Sequence, residues 1–154
     1  MIKYLILIIL LFSTLFAKIE VYETDYFVKY KLSQESIQTT YLLLKNELLA
    51  NGYKIVYEGD FAKLTKNIGK LIDKKSNLEF SKKLAFCKSS VTFRLLAENP
   101  DNILFCPFSL AVYKTKNQNF FYISYMKFKP LKKDEKMAKE INENIKKIIE
   151  EVIF

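Results

Sequence analysis

Histidine and tryptophan are absent from the 154 residues of this chain, arginine occurs once, at Arg94, and cysteine twice, at Cys87 and Cys106. The missing histidine removes the commonest general base. With it go every Ser-His-Asp or Cys-His arrangement and any histidine-ligated metal or haem. No P-loop, dinucleotide-type glycine motif, CxxC pair or CxxCH haem attachment is present. Two cysteines and scattered carboxylates show no metal-ligand spacing, so neither a metal nor another cofactor is expected. Acidic neighbours such as Asp134-Glu135 and Glu150-Glu151 read as the solvated side of a helix rather than a hydrolytic pair. Glycine and proline occur only three times each, which rules out collagen-like and low-complexity architectures. The inventory points to binding rather than catalysis.

What is present suits one packed domain. Half the residues are hydrophobic and 15% aromatic, enough for a core in a chain of this length. The chain opens MIKYLILIILLFSTLFAKIE, with Lys3, an apolar run from Tyr4 to Phe16, and a small residue at Ala17. That is the layout of a secretory signal peptide cleaved after Ala17. A membrane span needs about 20 apolar residues, so an uncleaved anchor is the second reading. Residues 1–17 are thus expected to be a leader and 18–154 the mature, periplasmic domain, with no membrane-spanning helix of its own.

The chain carries 25 basic and 17 acidic residues, a formal charge of +8, which falls by one if Lys3 leaves with the leader. Such a charge can serve solubility or attract anions of the cell envelope. Nucleic acid is disfavoured, because lysine lacks the planar fork of arginine that reads phosphate bidentately. Lys127, Lys129, Lys132 and Lys133 interleave with Tyr125 and Phe128 in a pattern that superficially resembles a nucleic-acid strip. An edge strand guarded by lysines explains the same pattern.

Periodicity organises the mature segment. Residues 18–31, KIEVYETDYFVKYK, predict a strand or hairpin with Tyr22, Tyr26, Val28 and Tyr30 on one face. Ser33 is a good cap for a helix in which Ile37, Tyr41, Leu44 and Leu48 share a side and Gly52 provides the stop. YKIVYEG predicts a strand. Asp60 can cap a second helix with Phe61, Leu64, Ile68, Leu71 and Ile72 on one face, weakened by Gly69. LEFSKKLAFC predicts a strand with Leu78, Phe80, Leu84 and Phe86 aligned. Ser89 or Ser90 then caps a short helix that stops before Pro100. ILFCPFSLAVY and NFFYISYMKFK flank KTKNQ as a hairpin. The last helix aligns Met137, Ile141, Ile145, Ile148, Ile149 and Val152. A membrane-surface helix would look similar, but packing onto the protein's own sheet is the default. These elements predict an α+β fold: a single compact domain, its sheet mixed or mainly antiparallel, helices on one face, closed by the amphipathic C-terminal helix.

Three readings of the cysteines stay open. Export favours a disulfide, worth about 3 kcal/mol for a loop of roughly 20 residues. The short helix descends about 13 Å and three strand residues recover about 10 Å, so parallel neighbouring strands would bring the sulfurs level. Side-chain alternation argues for separate buried thiols: Cys106 shares a face with Leu104, Phe108, Leu110 and Val112, while Cys87 opposes Leu84 and Phe86. A redox-active pair is the third reading.

From Phe86-Cys87, through a short helix ending at Glu98-Asn99-Pro100, to Pro107 and Val112-Tyr113, the chain resembles the domain-of-unknown-function 302 family. The earlier ANGYKIV resembles that family's helix-to-strand step. The resemblance covers most of the mature segment, with its sharp part in residues 85–113. It implies a small α+β domain and no established reaction. The family's second cysteine falls where this chain has Phe108, and a shift of two along a strand keeps the same face. The function expected is therefore that of an exported protein binding a small ligand or an envelope protein. A thiol-dependent redox or stress-response protein using Cys87 and Cys106 is the alternative, and an envelope component anchored by its N-terminal segment is a third.

Overall fold

A computed structural model of the chain describes residues 19–33, 36–129 and 135–154. The leader, its cleavage after Ala17, and Lys132, Lys133 and Asp134 lie outside the described residues. β1 (Glu20–Glu23) and β2 (Phe27–Leu32) form a hairpin, followed by α1 (Ile37–Ala50) and β3 (Lys54–Asp60). α2 (Phe61–Leu71) leads into β4 (Leu78–Cys87), α3 (Ser89–Glu98) and a 3-10 helix (Pro100–Phe105). β5 (Phe108–Thr115), β6 (Phe121–Met126) and α4 (Glu135–Ile153) complete the domain. The six strands make one sheet in the order β1-β2-β6-β5-β4-β3, and every pairing is antiparallel.

One face of that sheet is the core. Val28, Tyr30 and Leu32 of β2 alternate inward, as do Phe121, Ile123 and Tyr125 of β6 and Phe108, Leu110 and Val112 of β5, joined by Leu84 and Phe86 of β4. Tyr41, Leu44 and Leu48 of α1, Val91 and Leu95 of α3, and the isoleucine stripe of α4 close over them. Each such side chain, fully buried, contributes about 1.5–3 kcal/mol. Polar ties hold α4 in place. The Asn142 side chain accepts from the Phe128 amide at 2.8 Å and donates to its carbonyl at 3.0 Å, and Arg94 of α3 forks onto Glu140 at 2.7 and 2.8 Å.

The helix ends follow local chemistry. Asn51, Gly52 and Tyr53 finish α1 with paired bonds, Gly52 N–H to Leu49 and Tyr53 N–H to Leu48, each 3.0 Å, around Gly52 at φ +78°. Asp60 caps α2, its Oδ1 accepting from the Lys63 amide at 2.8 Å. At the other end of α2 the Lys74 amide donates back to the Gly69 carbonyl at 2.8 Å. A Cβ at Gly69 would stand 2.3 Å from the Lys74 carbonyl oxygen, so only glycine lets the turn after α2 fold against the helix.

Several expectations are corrected. The turn at Thr24 resets the first hairpin, so Val28 and Tyr30 are buried while Tyr22 and Tyr26 face solvent. The α1 cap is Ser36 rather than Ser33, and α3 starts after Lys88 without a side-chain cap. Residues 103–105 are 3-10 helix, and the strand begins only at Phe108. β6 lies inside the sheet, with Tyr125 and Phe128 buried and Lys127 paired to Glu23, so the lysines there guard no edge. The apolar stripe expected to bury α2 faces outward: among its residues only Gly69 is buried. We therefore expect Leu44→Ala to cost about 2–5 kcal/mol and Leu64→Ala, on the open stripe, less than about 0.5. Urea unfolding of the two variants checks this, and equal losses would place both residues in the core.

Candidate functional site

The sequence-singled residues do not converge on one pocket. Phe86 and Val112 are core side chains. Tyr113 sits on the outer face, its ring 5.2 Å from that of Tyr122. Pro100 opens the 3-10 helix, and Pro107 follows a cis Cys106-Pro107 bond. Cys87 and Cys106 are joined in a disulfide, with Cα atoms 6.3 Å apart. Cys87 does belong to its strand, paired with Lys54 at the end of β4. Cys106 does not: it caps the 3-10 helix two residues before β5, and its sulfur lies 3.3 Å from the Thr92 hydroxyl. β4 and β5 are antiparallel, so the parallel-strand route to a bond fails. The alternation argument against it fails too, because position 106 has no strand face. Phe108, where the family's cysteine falls, points into the core beside Phe86, with ring centroids 6.3 Å apart.

A different site emerges at the end of α2. The turn from Asp73 to Asn77 folds back on the helix and meets the β5–β6 connection, where the Lys116 amide donates to Asn77 at 3.0 Å. Between them lies a cleft of about 600 Å³ lined by Lys66, Lys70, Lys74, Lys75 and Lys116, together with Asp73, Glu79, Ser76, Leu78 and Gly69. Glu79 is engaged by Lys114 at 2.9 Å. The five lysine ammonium groups have no hydrogen bond, ion pair or ring contact among the described residues. Several lysines elsewhere are paired. Lys31 binds Glu20 at 3.1 Å, Lys45 binds Glu58, Lys82 binds Asp60, and Lys29 stands 4.7 Å over the ring of Tyr122.

Those pairings set the local carboxylates. Asp60 is held below its ordinary range, first by the Lys63 amide at the helix start and then by Lys82. Lys45 does the same for Glu58. The cleft itself is net positive, because five lysines line it against two acids, Asp73 and the Lys114-paired Glu79. Lys66, Lys70 and Lys74 are spaced by four, a signal legible in the sequence. Lys116 is 42 positions beyond Lys74 and arrives only through the sheet register that sets Thr115 opposite Leu78.

An antiparallel six-stranded sheet closed by helices on one face defines a small α+β domain. The domain of unknown function DUF302 matches this chain over residues 28–152, and the chain belongs to that family. Among solved structures it is similar to an uncharacterised conserved DUF302 protein from Bacillus stearothermophilus. The TM-score is 0.64 at 18% identity, over 84% of this chain and 97% of that one. At that identity the likeness speaks for the fold. No curated protein matches the chain.

Because the disulfide closes a loop over a sequence separation of 19, its loss is expected to cost about 3 kcal/mol. Cys87→Ser with Cys106→Ser should lower the unfolding midpoint accordingly, and both thiols of the native protein should resist alkylation until a strong reductant is added. Two thiols alkylated without reductant would contradict the bond.

Proposed function

We propose that this chain is an exported, non-enzymatic binding domain of the cell envelope, and that its ligand is a small polyanion held in the lysine cleft. One observation carries the reading: five lysines from α2, its following turn and the β5–β6 connection line one cleft, with no acid paired to any of them among the described residues. Self-repulsion among clustered cations costs stability, and an anion bearing two or more phosphate or carboxylate groups relieves it. Lysine suits such a ligand as a hydrated point charge on a flexible stem, without demanding one fixed geometry. The leader-like N-terminus supports the envelope setting.

A thiol-dependent redox role is the second reading, and one observation favours it. Cys87 lies one residue before Lys88, the N-cap of α3, and helix N-termini favour a thiolate. The bond's half-buried position and the neutral Thr92 hydroxyl beside Cys106 fit a staple better.

Calorimetric titration with tripolyphosphate at low ionic strength tests the binding reading. The wild-type chain should bind, and Lys70→Gln with Lys74→Gln and Lys116→Gln should weaken binding by at least about tenfold, from roughly 1 kcal/mol per lost charge. Lys136→Gln, an exposed lysine on α4, should leave it unchanged. Equal weakening by Lys136→Gln would reduce the effect to net charge and overturn the site.

A further inference from the structure

α2 presents to solvent the stripe that an ordinary amphipathic helix buries. Leu64, Ile68, Leu71 and Ile72 are 50%, 49%, 81% and 58% exposed. They recur at i, i+4, i+7 and i+8, so they form one continuous ridge. The helix leans on the sheet through its other side: Gly69 is buried, the Thr65 hydroxyl meets Ser76 at 2.7 Å, and α2 contacts β4. No described element covers the ridge. Contiguous apolar surface rimmed by polar groups marks an interaction site.

The charges beside it say which partner. Between Phe61 and Asn77 the chain holds five lysines and one aspartate. Lys74 and Lys75 line a shallow groove with Leu64, Ile68 and Ile72, so cations border the apolar ridge directly. Lys63, Lys66 and Lys70 occupy the opposite side of the helix. A large apolar face, a lysine-rich polar face and little acid is the pattern of a helix lying in the headgroup layer of an anionic bilayer. The groove beside the ridge is shallow and open, and a fluid headgroup layer can fill it without a partner of fixed shape. Flexible lysine stems reach headgroups in many geometries.

We propose that the apolar ridge of α2 is a docking surface for an anionic phospholipid bilayer, with Lys74 and Lys75 at the headgroups. No helix among the described residues is long and apolar enough to cross a membrane, so α2 docks at the surface. Docking does not rest on a soluble anion in the cleft, whose binding is read without lipid.

The absence of tryptophan gives a clean test, because a single Leu71→Trp reporter, excited at the red edge beyond tyrosine absorption, then gives the signal. In vesicles of phosphatidylcholine with phosphatidylglycerol its emission should shift to the blue and be quenched by lipids brominated in the chain. High salt should weaken the effect, and vesicles of phosphatidylcholine alone should not produce it. Phe93→Trp on α3, at a site 74% exposed, is the control and should not respond. Flotation of the full chain with anionic vesicles should fall by at least about tenfold in Leu64→Ser with Ile68→Ser and Ile72→Ser. All forms carry the same N-terminal segment, so the difference reports on α2. Unchanged Leu71→Trp emission overturns the proposal, as does an equal shift at Phe93→Trp. A vesicle-independent dimer abolished by the triple serine variant also overturns it, and makes a second copy of this chain the occupant.

Discussion

One-sided burial of the sheet is the constraint on which the rest of this structure depends. Inward residues of β2, β6 and β5, with Leu84 and Phe86 of β4, are apolar, and α1, α3 and α4 together cover them. Once that face is closed, α2 has no apolar surface left to bury against. It lies against β4 with Gly69 buried, and Leu64, Ile68 and Leu71 stay exposed. Exposure of the α2 ridge is therefore a consequence of the topology. The Gly69 contact then brings the lysine-bearing turn back onto the helix, so cleft and ridge share one element.

Much of the fold was legible because its signals are local. The Leu44 and Leu48 spacing, the Gly52 stop, the Asp60 cap and the isoleucines of α4 each follow from one or two turns of chain. What failed depended on distant partners. α2 and α4 carry equally clear apolar stripes, yet α4 is buried and α2 is open. Sequence periodicity says that a stripe exists and is silent on what covers it. The first hairpin was misread for a different reason: a turn at Thr24 shifts the phase between Tyr22 and Val28, and no count along the chain detects it.

The cysteines show the same boundary. Alternation argues against a bond only if residues 103–105 are strand, whereas they form a 3-10 helix opened by Pro100. Pro100 both ends α3 and, with its φ fixed, starts the new turn, and the second effect is the one that takes residues 103–105 out of the strand. The displacement of the thiol from position 108 to 106 moves it from a core-facing strand site to a chain segment free to reach Cys87. Within this family fold the bond joins the end of β4 to the segment entering β5, which makes the signature region a brace beside the core. Chemistry, on this account, sits at the opposite end of β4, where lysines rather than thiols gather.

Hydrogen–deuterium exchange of the full chain with and without anionic vesicles tests that placement most directly. The account predicts new protection confined to residues 61–77, with the sheet and α4 already protected and unchanged. Protection appearing instead across α3 and the 3-10 helix, with 61–77 unaffected, would contradict it and return attention to the disulfide end of the molecule.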